Sequence, residues 1–227
     1  MSYVPHDSLI RPARLSANPA RLIVGSIMVV VIYLSLLFLF ANYLPAMIGS
    51  ERVERLYDDE SASYVFLLLF QFTFIIVALS MDLRTIHRRQ MRSLVGRTDR
   101  AIYDFWCCAK YLTPLFLFFW LMPMPEEFRL DRHLQLGPWL LLLVFALPLV
   151  LIQISAEELV FRGYLQSQLA ARFKHPILWI GIPSVLFGLL HYSPEMAVEN
   201  AWMMVVLSAL FGVAAAYLTA RSGTLGP

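Results

Sequence analysis

The sequence predicts an all-α protein, a polytopic transmembrane helical bundle of about six spans. Three observations carry that expectation: hydrophobic residues make up 59% of the chain against 15% charged, the mean hydropathy is +0.65, and the apolar residues gather into long uninterrupted runs. A water-soluble domain has too little interior to hide so many apolar side chains.

The first run, Leu22 to Leu44, holds 23 residues without a charge. At about 1.5 Å of rise per residue it crosses a hydrocarbon core of roughly 30 Å. It is too long for a secretory signal, follows a 21-residue polar segment and lacks a small-residue cleavage pattern. It therefore reads as a retained span. The preceding Met1 to Arg21 carries Pro5, Pro12 and Pro19 among polar and basic residues, and reads as a flexible cytoplasmic arm of no fixed fold lying near anionic headgroups. Further spans follow at Ser63 to Met81, Phe105 to Met124, Trp139 to about Leu169, Ile177 to Tyr192 and Ala197 to Ala220. Between them, Arg84 to Arg100 is a basic loop whose six arginines read as a topology signal rather than a ligand site. No internal repeat or second domain is evident, so the arm 1–21 precedes one transmembrane domain, 22–227.

Lys and Arg are retained on the cytoplasmic side of a membrane. The first, third, fifth and seventh connecting segments (1–21, 82–104, 167–176 and the tail from Arg221) hold twelve Lys or Arg against four acids. The other three hold ten acids when Glu199, in the first turn of the last span, is counted with them, and, as basic residues, only Arg52, Arg55, Arg129 and Arg132. This asymmetry puts the protein in the cell membrane with a cytoplasmic amino terminus. The net charge of +2 conceals it and gives no reason to expect nucleic acid as a partner. Cys107 and Cys108 are adjacent, cannot form an unstrained bridge to each other, and read as packing residues.

Three charges lie deep within an apolar segment: Glu157, Glu158 and Arg162. A charge near the bilayer centre costs about 3 kcal/mol or more, so such residues face a protein-lined or wet cavity and serve a function. Glu158 and Arg162 are four apart on one helical face and pair, whereas Glu157 is turned about 100° away and has no such charged partner. A purely structural tie between helices accounts for Glu158 but leaves a second carboxylate unexplained.

The next span carries one ionisable group, His191. The turn at 172–176 joins two antiparallel helices, and Glu158 and His191 are equally far from its midpoint to within one residue, hence at about the same depth in a regular hairpin. Gly181, Ser184, Gly188 and His191 share a face, and the small residues are expected to admit the glutamate helix, bringing carboxylate and imidazole together. The chemistry that fits is hydrolysis, with Glu157 taking a proton from water while His191 orients the water or stabilises developing charge. Zinc or another divalent metal on Glu157 and His191 is a second option, although the spacing is not that of a helical His-Glu-x-x-His site.

Glu157-Glu158-Leu-Val-Phe-Arg162 resembles the EExxxR motif, and Phe187-Gly-Leu-Leu-His191 the following FxxxH motif, of the CPBP family. That family comprises the type II CAAX prenyl endopeptidases and bacterial bacteriocin-processing and immunity (Abi) proteins. The stretch from Phe211-Gly212 to Gly226 is also similar, so the resemblance covers about Trp139 to Pro227, the protease-like core. It implies an intramembrane (metallo)endopeptidase acting on membrane-associated or prenylated peptides. Glu157 and His191 would be catalytic or metal-site residues, with Glu158, Arg162 and Phe187 in support. The family's pattern continues into a further helix bearing a histidine and, four residues on, asparagine or aspartate. The sequence stops at Pro227 before it, so the 227-residue form is expected to be weakly active or inactive. The rival readings are a non-catalytic immunity or scaffold protein that keeps the fold, and a proton-coupled transporter, for which the repeat symmetry is missing.

Overall fold

The computed structural model describes residues 3–57, 61–123 and 134–227. Among them every regular element is helical. After a single 3-10 turn at Val4–His6, the helices are α1 (Asp7–Arg14), α2 (Pro19–Ile48), α3 (Ser50–Leu56), α4 (Ala62–Phe70), α5 (Phe72–Thr85), α6 (Arg92–Val95), α7 (Thr98–Leu121), α8 (Leu136–Glu158), α9 (Ser167–Ala170), α10 (Ile182–Leu189) and α11 (Val198–Ser222). Two π-helical stretches, Leu159–Gln166 and Ile177–Gly181, join α8 to α9 and lead into α10.

Four of these rods are long and apolar enough to cross a membrane: Pro19–Ile48, Ala62–Thr85, Leu136–Ala170 and Val198–Ser222. The remaining two expected spans are weaker candidates. Ile177–Leu189 is apolar but short, and α7, though 24 residues long, carries Asp104 and Lys110 within it. Much of the apolar surface points outward, including Phe116, Trp120 and Leu121 on α7, Leu141 and Val144 on α8, and Leu207 and Leu210 on α11. Side chains of that kind in such density find a compatible solvent only in lipid. The protein is thus a multi-pass membrane protein.

Local chemistry sets the ends of the spans. The Asn18 side chain accepts the Ala20 amide at 2.9 Å and Pro19 occupies the first helical position, so α2 starts where the polar segment stops. Ser61 caps α4 by accepting the Tyr64 amide at 3.1 Å. At the far end of the chain Gly223 closes α11 in the left-handed region, φ 76°, its N–H bonded to the Thr219 carbonyl at 2.8 Å. A Cβ there would collide with the Pro5 carbonyl, so the same glycine lets the amino-terminal turn seat against the last helix.

α8 is the centre of the bundle, with α4 and α5 against it, α2 against α5, and α10 against α11. The segments expected on one side of the membrane meet at one end. Ser8 donates to the Gly223 carbonyl at 2.8 Å, Arg172 to the carbonyls of Ser16 and Asn18 at 2.9 and 2.7 Å, and Thr224 to Asp104 at 2.9 Å. Leu225 N–H bonds to the Val95 carbonyl at 3.1 Å. The flexible-arm expectation for the first 21 residues is corrected by this packing. Residues 4–14 are helical, and His6, Leu9, Ala13 and Ser16 are buried against the rest of the protein. Leu9 and Ala13 are four apart and Leu9 and Ser16 seven apart, so one face of α1 and its exit turn is apolar or small and docks despite the prolines.

Candidate functional site

The end of α8 and the π-helical stretch after it carry the glutamates and the arginine. A π turn widens the helix by one residue and re-aims the side chains that follow, and such turns are frequent at functional sites. Glu158 Oε1 and Arg162 Nη1 lie 3.2 Å apart. The guanidinium is only 1% exposed and sits over the Phe187 ring, 4.5 Å from its centroid, with Phe161 and Phe211 each at 6.0 Å. A desolvated cation over an aromatic face gains about 2 kcal/mol, which joins the carboxylate in offsetting the cost of burying Arg162.

Phe187 is a joint between the two motifs. One side of its surroundings is Arg162 and Phe161, the latter edge-on at 5.2 Å; another is the His191 ring, 4.5 Å away. Its carbonyl receives His191 Nδ1 at 2.8 Å. A carbonyl only accepts, so Nδ1 carries the proton and, in the neutral ring, Nε2 keeps its lone pair. Four-residue spacing places the two rings on one face, which gives the FxxxH pattern its physical meaning.

Glu157 and His191 line the same cavity, of about 540 Å³, between α2, α5, α8 with its π-helical extension, and α10. The polar groups on its wall are Tyr33, Gln153, Glu157 and His191; the rest are apolar, including Val29, Ile75, Phe161 and Leu190. Among the described residues Glu157 has no ion-pair partner, and its hydrogen-bond donor is the neutral Gln153, whose Nε2 lies 3.3 Å from Glu157 Oε1. The donor stands one turn before it, a spacing readable in the sequence. Among the described residues no ion pair joins His191 to either glutamate. Carboxylate and imidazole therefore face a common space rather than each other, and a cavity of that size holds several waters at roughly 30 Å³ apiece.

The small-residue face of α10 does not meet the glutamate helix as expected. A Cβ on Gly188 would lie 2.5 Å from the Val205 carbonyl and 2.8 Å from Ala209 Cβ, and one on Gly212 would lie 3.1 Å from Ser184 Cα. The seam is thus between α10 and α11, while contact with the glutamate segment runs through Phe161 and Phe187. Phe161 and Phe187 both line the cavity.

A second polar cluster was not legible beforehand. Asp82, read as the first residue of a loop, is inside α5 and fully buried, and His87, read as a loop histidine, is buried beside it. Gln168 Nε2 donates to His87 Nδ1 at 2.9 Å, and Ser16 Oγ lies 2.8 Å from the same nitrogen. His87 Nε2–H then donates to the Tyr164 hydroxyl at 2.9 Å. Burial, followed by the charges of Arg89, Arg172 and Arg21, holds the imidazole down to about 4, so it is a neutral hydrogen-bond hub. It ties α1, α5 and the α8–α9 rod together.

The donor set bears on a metal. Two groups, Glu157 and His191, face the cavity, and no cluster of three or more His, Cys, Asp or Glu occurs among the described residues. Protein zinc sites take three or four protein ligands, so these residues alone do not make a metal centre.

Fold and cavity define a polytopic helical membrane protein with an ionisable site on a cavity between its helices. Residues 138–227, which contain both motifs, match the family of type II CAAX prenyl endopeptidases described as Rce1-like. The resemblance is therefore to a membrane protease family and extends well beyond the two motifs. Over 101 residues the chain is 38% identical to an uncharacterized protein, YyaK, of Bacillus subtilis (strain 168), a stretch that is 44% of this chain and 31% of that protein. The chain thus matches about a third of the relative's length. No solved structure matches it.

Proposed function

We propose that the chain is an intramembrane endopeptidase that hydrolyses a peptide bond with a glutamate-activated water, in CAAX-type or related processing of membrane peptides. The observation that carries this reading is that Glu157 and His191 share one largely apolar cavity. Water held there donates one hydrogen to Glu157 and the other to the lone pair of His191 Nε2, which the Nδ1 bond to Phe187 leaves available. As the water oxygen attacks the carbonyl carbon, its proton passes to Glu157, and from Glu157 to the leaving nitrogen as the C–N bond breaks. Gln153 fixes the carboxylate during this exchange. Val29, Ile75, Phe161 and Leu190 supply the wall for an apolar substrate segment. Positive charge on the first, third, fifth and seventh segments supports a cytoplasmic location for the end of the bundle where they meet.

The test separates hydrolysis from binding. Cleavage of a prenylated-cysteine peptide and of an unprenylated membrane peptide is measured in reconstituted membranes for the wild type, Glu157→Gln and His191→Asn, each as the 227-residue chain and as a carboxy-terminally extended form, and the variants are compared in whichever form cleaves. Glu157→Gln keeps the shape of the side chain, so kcat is expected to fall by about 10³-fold, within the usual range for loss of a general base, with KM little changed. Equal cleavage by wild type and Glu157→Gln would overturn the proposal.

A further inference from the structure

The six arginines between Arg84 and Arg100 do more than mark a side of the membrane. Four of them, Arg88, Arg89, Arg92 and Arg97, line one recess of about 520 Å³ where the loop passes α1. Asp99 is the acidic group on its wall, and it is engaged by Arg97 through contacts of 2.6 and 3.3 Å. Arg89 is 5% exposed, and its partners are the Ser93 hydroxyl and carbonyl and the Ser167 hydroxyl, at 3.2 to 3.4 Å. Among the described residues none of Arg88, Arg89 and Arg92 is in a salt bridge. Those partners are neutral, so the buried guanidinium keeps a charge that an anion would offset, and burial holds Arg89 down to about 10.

Arg88 belongs also to an adjoining recess of about 320 Å³, with Arg21, Val24, Thr85 and Ile86. It is the one non-glycine residue at positive φ among the described residues, 51°, a conformation retained where its surroundings hold it. The second recess lies between the first turns of α2 and the last turn of α5, two membrane-crossing rods. At that level the solvent is headgroups. Arginine clusters suit phosphate through paired N–H bonds, the apolar Val24 and Ile86 suit the glycerol and upper acyl chain, and surplus positive charge disfavours the ammonium of a zwitterionic lipid.

We infer that these linked recesses form a binding site for the headgroup of an anionic phospholipid, its phosphate held by Arg88, Arg89 and Arg92. The site is separate from the Glu157 cavity. The full chain, purified and exchanged into nanodiscs of phosphatidylcholine and phosphatidylglycerol in equal amounts, is extracted, and its retained lipid is quantified by mass spectrometry. Wild type is expected to retain phosphatidylglycerol over phosphatidylcholine by about tenfold or more, given roughly 1 kcal/mol per arginine. Arg88→Gln/Arg92→Gln is expected to bring the ratio near unity, and Arg88→Lys/Arg92→Lys to restore part of it. Both positions are exposed, so the fold tolerates the changes. No preference in the wild type, an unchanged preference in the glutamine variant, or complete displacement of the lipid by inorganic phosphate would each overturn the inference.

Discussion

Arg162 shows what a single side chain contributes to this protein. It is almost fully buried, ion-paired to Glu158 and stacked on Phe187, so one residue couples the glutamate motif to the histidine motif. Replacing it with Met leaves Glu158 without its cation and is expected to cost about 3 kcal/mol. Glu158→Gln/Arg162→Met should recover part of that loss, because no unpaired charge remains. Denaturant unfolding of the two variants and Glu158→Gln in detergent measures the coupling as a double-mutant cycle; additive effects would show that the pair contributes nothing. The pairing itself was readable from four-residue spacing. The stacking was not, because Phe187 arrives from another helix and no local pattern announces a contact so far along the chain.

The rods and seams between them follow different rules from a water-soluble core, since lipid tails are as apolar as leucine and association rests on close packing. The α10–α11 seam depends on Gly188, where an added Cβ meets the Val205 carbonyl. Gly188→Ala is therefore expected to destabilise the protein by about 1 to 3 kcal/mol. Gly181, on the same face by sequence, meets only Ile177 Cγ2 at 3.8 Å, and Gly181→Ala is expected to be neutral or to stabilise by roughly 0.5 kcal/mol. Thermal midpoints of the two variants, compared side by side, check where the seam lies; a larger loss at Gly181 would return the small face to the glutamate helix. Span existence was legible from run length alone. The π-helical stretches were not, because a one-residue widening of a helix leaves no mark on hydropathy.

Taken whole, the molecule closes one end with polar contacts among segments distant in the chain, and this end makes two further predictions. His6 is buried with neither ring nitrogen hydrogen-bonded, and burial, only partly opposed by Asp7, lowers it to about 4 from 6.5. The unfolded chain binds the extra proton between those values, so stability falls as pH drops from about 6.5 towards about 4. The loss of unfolding midpoint between about pH 7.5 and about pH 5 should be smaller in His6→Leu than in the wild type; an identical loss would remove His6 as its source. The second prediction concerns sidedness. With Cys107 and Cys108 replaced by Ala, a membrane-impermeant thiol reagent on intact cells should label Glu195→Cys and not Thr98→Cys. The reverse pattern would invert the topology.

Composition, run length and charge were enough to establish a helical membrane protein and to single out Glu157, Glu158, Arg162 and His191, because each of those signals is local and the cost of a charge in lipid makes it conspicuous; Phe187 came only from the resemblance to the FxxxH motif. The order in space needed the assembled bundle. It decided that α1 docks rather than drifts, that α11 and not α8 fills the small face of α10, that Gln153 holds Glu157, and that Asp82 and His87 are interior. Those outcomes depend on which side chains from remote segments fit together, and packing of that kind is a property of the folded whole.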